Sequence, residues 1–104
     1  MAFETTQDGG RLCVSVSGRL DVQTAPALAD KMSGMLDGVT EIVFDLSGLE
    51  FISSAGMRIL IASYKLMSKR GGVIRVENAQ ADVMRVLDVS GLASLFGMDE
   101  RHLS

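Results

Sequence analysis

The chain has no tryptophan, and only one cysteine, one histidine, one proline and one tyrosine in 104 residues. With Cys13 alone, no disulfide can close within the chain, and a reducing cytoplasm is the simpler setting. Cys13 itself is expected to be a small buried apolar side chain in a strand. One cysteine and one histidine fall short of a metal-ligand set. His102 lies in a polar tail, so no Ser-His-acid triad is expected. The glycine pairs Gly9-Gly10 and Gly71-Gly72 do not form a phosphate-binding loop, and Ser54 is not in a nucleophile elbow. Nor is there an excess of basic charge. The net charge is -3, and the only dense basic site is Lys69-Arg70, which favours neither nucleic acid nor an anionic membrane surface. No apolar run is long enough to span a bilayer. The start, Met1 to Glu4, lacks the basic and apolar regions of a secretory signal. These absences point away from an enzyme and from any resident cofactor or metal.

What remains is ordinary for a compact domain: 47% apolar and 22% charged residues, with a length that supports one core, taken as residues 1–104. Phe3 to Gln7 and Arg11 to Ser17 read as a hairpin around Asp8-Gly9-Gly10, with Leu12, Val14 and Val16 on one buried face. Asp21 either caps a helix starting at Val22 or stands in the loop before a later start near Thr24. Pro26 favours the later start, because proline is tolerated only in a first turn. Ala25, Leu28, Ala29, Met32, Met35 and Leu36 then form an apolar stripe that ends at Asp37-Gly38. Glu41 to Leu46 is a central strand whose nearly continuous apolar run suits burial on both faces. Ser47 to Phe51 reads as a turn broken at Gly48.

Ser54 to Lys69 forms a second helix, stopped by Gly71-Gly72. Its apolar side carries Met57, Leu60, Ile61, Tyr64 and Met67. Val73 to Glu77 is a further strand, and Asn78 is placed to cap a helix from Ala79 to Leu87. Leu92 to Met98 is a short strand or turn, and Asp99 to Ser104 a polar end. Methionines at helical spacing are core filler before they are a binding stripe. The alternation implies an α/β domain: a small mixed sheet of four to five strands packed with about four helices, with parallel crossovers after the hairpin.

The stretch Phe44 to Met57 concentrates the chemistry. A strand carries a carboxylate at Asp45, a turn follows, and Ser53-Ser54 open an apolar helix. A hydroxyl at Ser54 can cap that helix, or it can be presented to a partner and modified. Ala55 and Gly56 are small, which suits either close approach of a partner or packing of helix on strand.

Four segments in order resemble the STAS family, which includes anti-sigma factor antagonists and cytoplasmic domains of sulfate transporters. Gly18-Arg19-Leu20-Asp21 is similar to the family's G-x-L-D. Ile42-Val43-Phe44-Asp45-Leu46 looks like its third strand. Phe51-Ile52-Ser53-Ser54-Ala55-Gly56-Met57 resembles its phosphorylation loop, D-S-S/A-G-L, with Ser53 at the D position and Met57 at the L position. Val86 to Leu92 is similar to L-x-x-S-G-L. The resemblance implies a single STAS-type domain with Ser54 as the phosphorylation site. It implies a partner surface at Asp21, Ser53, Ser54, Ala55, Gly56 and Met57. It further implies an anti-sigma factor serine kinase that brings ATP and Mg²⁺, a PP2C-type phosphatase, and a cytoplasmic location. The charge of the motif's aspartate is missing at Ser53. The alternative is a STAS scaffold subunit of a lipid-transport ATPase or signalling assembly, in which Ser54 is never modified.

Overall fold

The structure, a computed structural model, describes residues 2–96. The tail with His102 lies outside them. A sheet in the order β1-β2-β3-β4 packs helices on one face. Strands β1 (Ala2–Asp8) and β2 (Arg11–Leu20) form an antiparallel hairpin that turns at Gly9-Gly10. Helix α1 (Ala25–Ser33) carries the chain to β3 (Glu41–Ile52), which lies parallel to β2. Helix α2 (Ser54–Lys69) leads to β4 (Val73–Glu77), parallel to β3. Helices α3 (Ala81–Ser90) and α4 (Leu92–Leu95) complete the described chain. The α/β class, the mixed sheet, α2 and β4 all match expectation.

Leu12, Val14 and Val16 of β2 join Ile42, Phe44 and Leu46 of β3 in a core with Leu28, Leu60 and Leu87 from the helices. Val43 is also buried but stands outside this core, in register with Cys13 and Arg75. The near-continuous apolar run of β3 therefore does not signify helices on both faces. Neighbouring strands cover Val43 on a face that also holds the Arg11–Glu41–Arg75 ion pairs. Cys13 lies on that face and is only half-buried, not the enclosed core residue expected.

The larger correction concerns Ser47 to Phe51, which is strand, not turn. Leu46, Leu49 and Ile52 are all buried, a spacing of three where a regular strand gives two. Two register shifts explain it. Ser15 and Ser17 face Asp45 and Gly48; Gly18 and Arg19 face Leu49 and Phe51. Each shift adds one residue to β3, a bulge that re-aims the next side chain inward. Gly48 is required where the strands close up, since a Cβ there would lie 2.8 Å from Cβ of Ser17.

The first bulge is tied down by polar groups. Oδ1 of Asp45 accepts the Ser47 N–H at 3.0 Å and the Asn78 amide at 3.3 Å. The Gln80 amide donates to the Ser47 carbonyl at 2.7 Å. Asn78 is thus not the helix cap expected of it. It adopts φ 61°, while α3 starts after Gln80. Helix α1 also ends early, at Ser33. Met35 and Leu36 reach the core from a loop that the Arg70 guanidinium holds through the carbonyls of Leu36 and Val39. Leu92–Leu95 is helical, not strand or turn, and the rest of that segment from Gly97 lies outside the described residues.

Gly48→Ala should cost about 1–3 kcal/mol, the usual penalty of overpacking, and lower the urea midpoint. An unchanged midpoint would contradict the close approach to Ser17. Asp45 also makes stability depend on pH. The Ser47 N–H holds its carboxyl below the ordinary aspartate range; partial burial opposes this, and the Asn78 amide and Ser47 hydroxyl reinforce it. A carboxyl depressed on folding adds stability above its unfolded pKa and loses it as pH falls through the folded one. Asp45→Asn should therefore lower stability at pH 7 and lessen the loss of stability on acidification. Denaturant unfolding over the acid range measures both, and parallel curves for the two proteins would count against the assignment.

Candidate functional site

The carboxyl ends of β2 and β3 meet where the Ser53 N–H donates to the Leu20 carbonyl at 2.9 Å. Asp21 follows Leu20 directly and so lies beside the start of α2. Its Oδ1 accepts N–H groups from Gln23 at 3.0 Å and Thr24 at 3.1 Å. In return the Asp21 N–H donates to Oγ1 of Thr24 at 2.9 Å, and that hydroxyl donates to the Arg19 carbonyl at 2.9 Å. Asp21 thus caps the turn that precedes α1, and the helix itself starts late, with Pro26 in its first turn. Partial burial disfavours the Asp21 carboxylate, but the Gln23 and Thr24 N–H groups, the Thr24 hydroxyl and Arg19 outweigh it and hold its pKa low. The residue is an anion at neutral pH.

Ser53 occupies the cap position of α2 in an extended conformation (φ -99°, ψ 179°), yet its side chain makes no capping hydrogen bond. Its Oγ is enclosed and has no hydrogen-bond partner, which closes it to modification. Ser54 is the first helical residue. It is exposed, and its hydroxyl makes no hydrogen bond among the described residues. Of the two roles open to Ser54, capping is therefore unfilled, and the side chain is open to solvent. The first turn keeps free N–H groups: Ser53 supplies only its carbonyl, to Met57 at 2.9 Å, and the N–H groups of Ser54, Ala55 and Gly56 have no acceptor within the helix.

The remaining residues sort by depth. Gly56 is buried; a Cβ there would lie 2.8 Å from Ile52 Cγ1 and 2.8 Å from Leu20 Cγ. The packing role, left open by sequence, is filled, and Gly56 presents no surface to a partner. Ala55 and Met57 are half-buried against the core. Asp45 stands apart from Ser54. It is paired with Ser15 and Glu77, seven residues before Ile52 along a strand.

Three residues escaped sequence analysis. Phe51 is 38% exposed and carries the Arg19 guanidinium at 4.1 Å from its ring centre. Arg19 also pairs with Asp21 at 3.8 Å. Val22 is 74% exposed. The available signals were an aromatic residue just before the serines and a β-branched residue just after Asp21, off the apolar stripe of α1. Around Ser54 there is thus a surface of mixed apolar and charged character. Among the described residues no group of three or more His, Cys, Asp or Glu is placed to hold a metal ion. No described helix is long and apolar enough to cross a membrane.

The STAS domain model matches residues 2–103. The chain is 32% identical over 94 residues to an anti-sigma F factor antagonist of Paenibacillus polymyxa, spanning 88% of this chain and 80% of that protein. It is 22% identical over 98 residues to an anti-sigma-B factor antagonist of Bacillus subtilis, spanning 94% and 90%. Among solved structures, an anti-sigma factor antagonist from Mycobacterium paratuberculosis aligns with TM-score 0.79 at 34% identity, covering 91% of this chain and 81% of that one. The antagonist SpoIIAA in its unphosphorylated form aligns with TM-score 0.82 at 22% identity, covering 90% and 84%. The residues matched by the family model take in both the Gly18–Asp21 segment and the Ser53–Ser54 helix start, and the chain belongs to the STAS domain family.

Proposed function

We propose that this protein is an anti-sigma factor antagonist that works in the cytoplasm and is switched by phosphorylation of Ser54. The observation that carries this is the exposed, unbonded Ser54 hydroxyl at the first position of α2, beside Asp21. The names of the relatives support the general role.

In its unmodified form the protein captures an anti-sigma factor serine kinase, and a sigma factor is released. The kinase brings ATP and Mg²⁺. Oγ of Ser54 attacks the γ-phosphorus, the bond to the β,γ-bridging oxygen breaks, ADP leaves, and the hydroxyl proton passes to a base on the kinase. A PP2C-type phosphatase reverses the modification by hydrolysis.

The fold tolerates the product. A phosphate at the start of α2 meets unpaired N–H groups and the positive end of the helix dipole, a gain of about 0.3–1 kcal/mol. The interface does not tolerate it. A phosphoserine adds nearly two negative charges to a helix start that the Ser53–Leu20 hydrogen bond already holds against the segment carrying Asp21. A partner fitted to a neutral hydroxyl then faces like charge and desolvation, which together cost several kcal/mol. The switch therefore acts at the surface and leaves the core alone.

Incubation with candidate anti-sigma factor kinases and ATP should add one phosphoryl group to the wild type by intact mass, and none to Ser54→Ala. Ser54→Ala should stay bound to the kinase, and Ser54→Asp should bind about tenfold or more weakly. Equal affinity of the two variants would contradict the proposal. No phosphoryl transfer from any candidate would favour a scaffold role instead.

A further inference from the structure

A second feature lies beside Ser54 and shares only Phe51 with the surface described above. A cleft of about 280 Å³ opens between the bulged end of β3 and α3. Its apolar lining is Phe51, Ile52, Val83 and Val86, and its rim carries Glu50, Asp82 and Arg85. Phe51 is three residues from Ser54, so their Cα atoms lie within about 11 Å of each other by chain length alone. The cleft therefore adjoins the surface proposed to receive the kinase.

The rim charges limit what fits. Arg85 is engaged by Asp82 at 3.8 Å, one turn away on α3. Glu50, exposed at the second bulge, has no ion pair among the described residues. An apolar floor beside an uncompensated carboxylate is complementary to an aliphatic or aromatic side chain carried next to a lysine or arginine. We infer that this cleft takes such a side chain from the same anti-sigma partner and provides anchoring that does not depend on the phosphorylation state of Ser54. This rests on the proposed antagonist role and adds a second contact to it. A charge at Ser54 would then weaken the complex by acting on one end of the contact area, while the cleft contributes to which kinase is selected.

The cleft and the serine can be tested separately with the kinase that phosphorylates Ser54. Val86→Asp should weaken binding about tenfold. Glu50→Lys, an exposed change that leaves the core untouched, should weaken it several-fold, chiefly by slowing association. Val73→Asp, which alters an exposed apolar residue at the opposite end of the sheet, should bind as wild type does. Thermal melting checks each variant, and Glu50→Lys decides the matter if Val86→Asp fails to fold. Wild-type affinity in Glu50→Lys and in a folded Val86→Asp would overturn the cleft while leaving the Ser54 switch intact. If the wild type itself binds no such kinase, both fall together. If the variants instead lose self-association in sedimentation while still binding the kinase, the cleft serves a second copy of this chain, and the inference is wrong.

Discussion

Leu46, Leu49 and Ile52 lie three residues apart yet reach one buried face, and the position of Ser54 follows from how β3 achieves this. A regular strand would turn Leu49 outward and bring Gly48 inward. Burying a leucine or isoleucine side chain is worth about 1.5–3 kcal/mol. A lost ladder hydrogen bond costs about 1 kcal/mol. Side-chain burial wins, so the strand accepts two extra residues. The second of these brings Ile52 under Gly56 and leaves the Ser53 N–H on the Leu20 carbonyl. Helix α2 then begins at Ser54, with that side chain on the outside.

The same constraint organises the neighbouring polar groups. Asp45 fixes the first bulge and, through Asn78, the loop that follows β4. Asp21 fixes the turn after β2, and Arg19 lies between Asp21 and Phe51. The surface around Ser54 is therefore assembled from two strand ends and one helix start. Their relative placement is set by backbone hydrogen bonds and by glycine-sized gaps, which fix the base of the contact proposed at Ser54.

Much of this was legible in the sequence. Period-two alternation in Leu12 to Val16 marked β2 of the hairpin and the helical spacing from Ser54 to Lys69 marked α2, whereas the apolar run of β3 wrongly implied cover on both faces. Pro26 correctly argued for a late start to α1, and the motif around Ser53-Ser54 singled out the residues that open α2. What was hidden depends on contacts distant in sequence. Bulges convert an alternating pattern into one of threes, so Ser47 to Phe51 resembles a turn until β2 is alongside. Val43 is buried by adjacent strands and not by helices. Asn78 looks like a cap, but a carboxylate 33 residues away claims its amide. The Phe51 and Val22 surfaces emerge only once the strand ends are brought together.

On the proposed function, modification at Ser54 changes the surface and leaves the core as it was. Amide chemical shifts of the protein before and after phosphorylation test this directly. Changes should be confined to the segments Arg19–Thr24 and Phe51–Met57, with Leu12, Val76 and Leu87 unmoved. Large shifts at those core residues would contradict it.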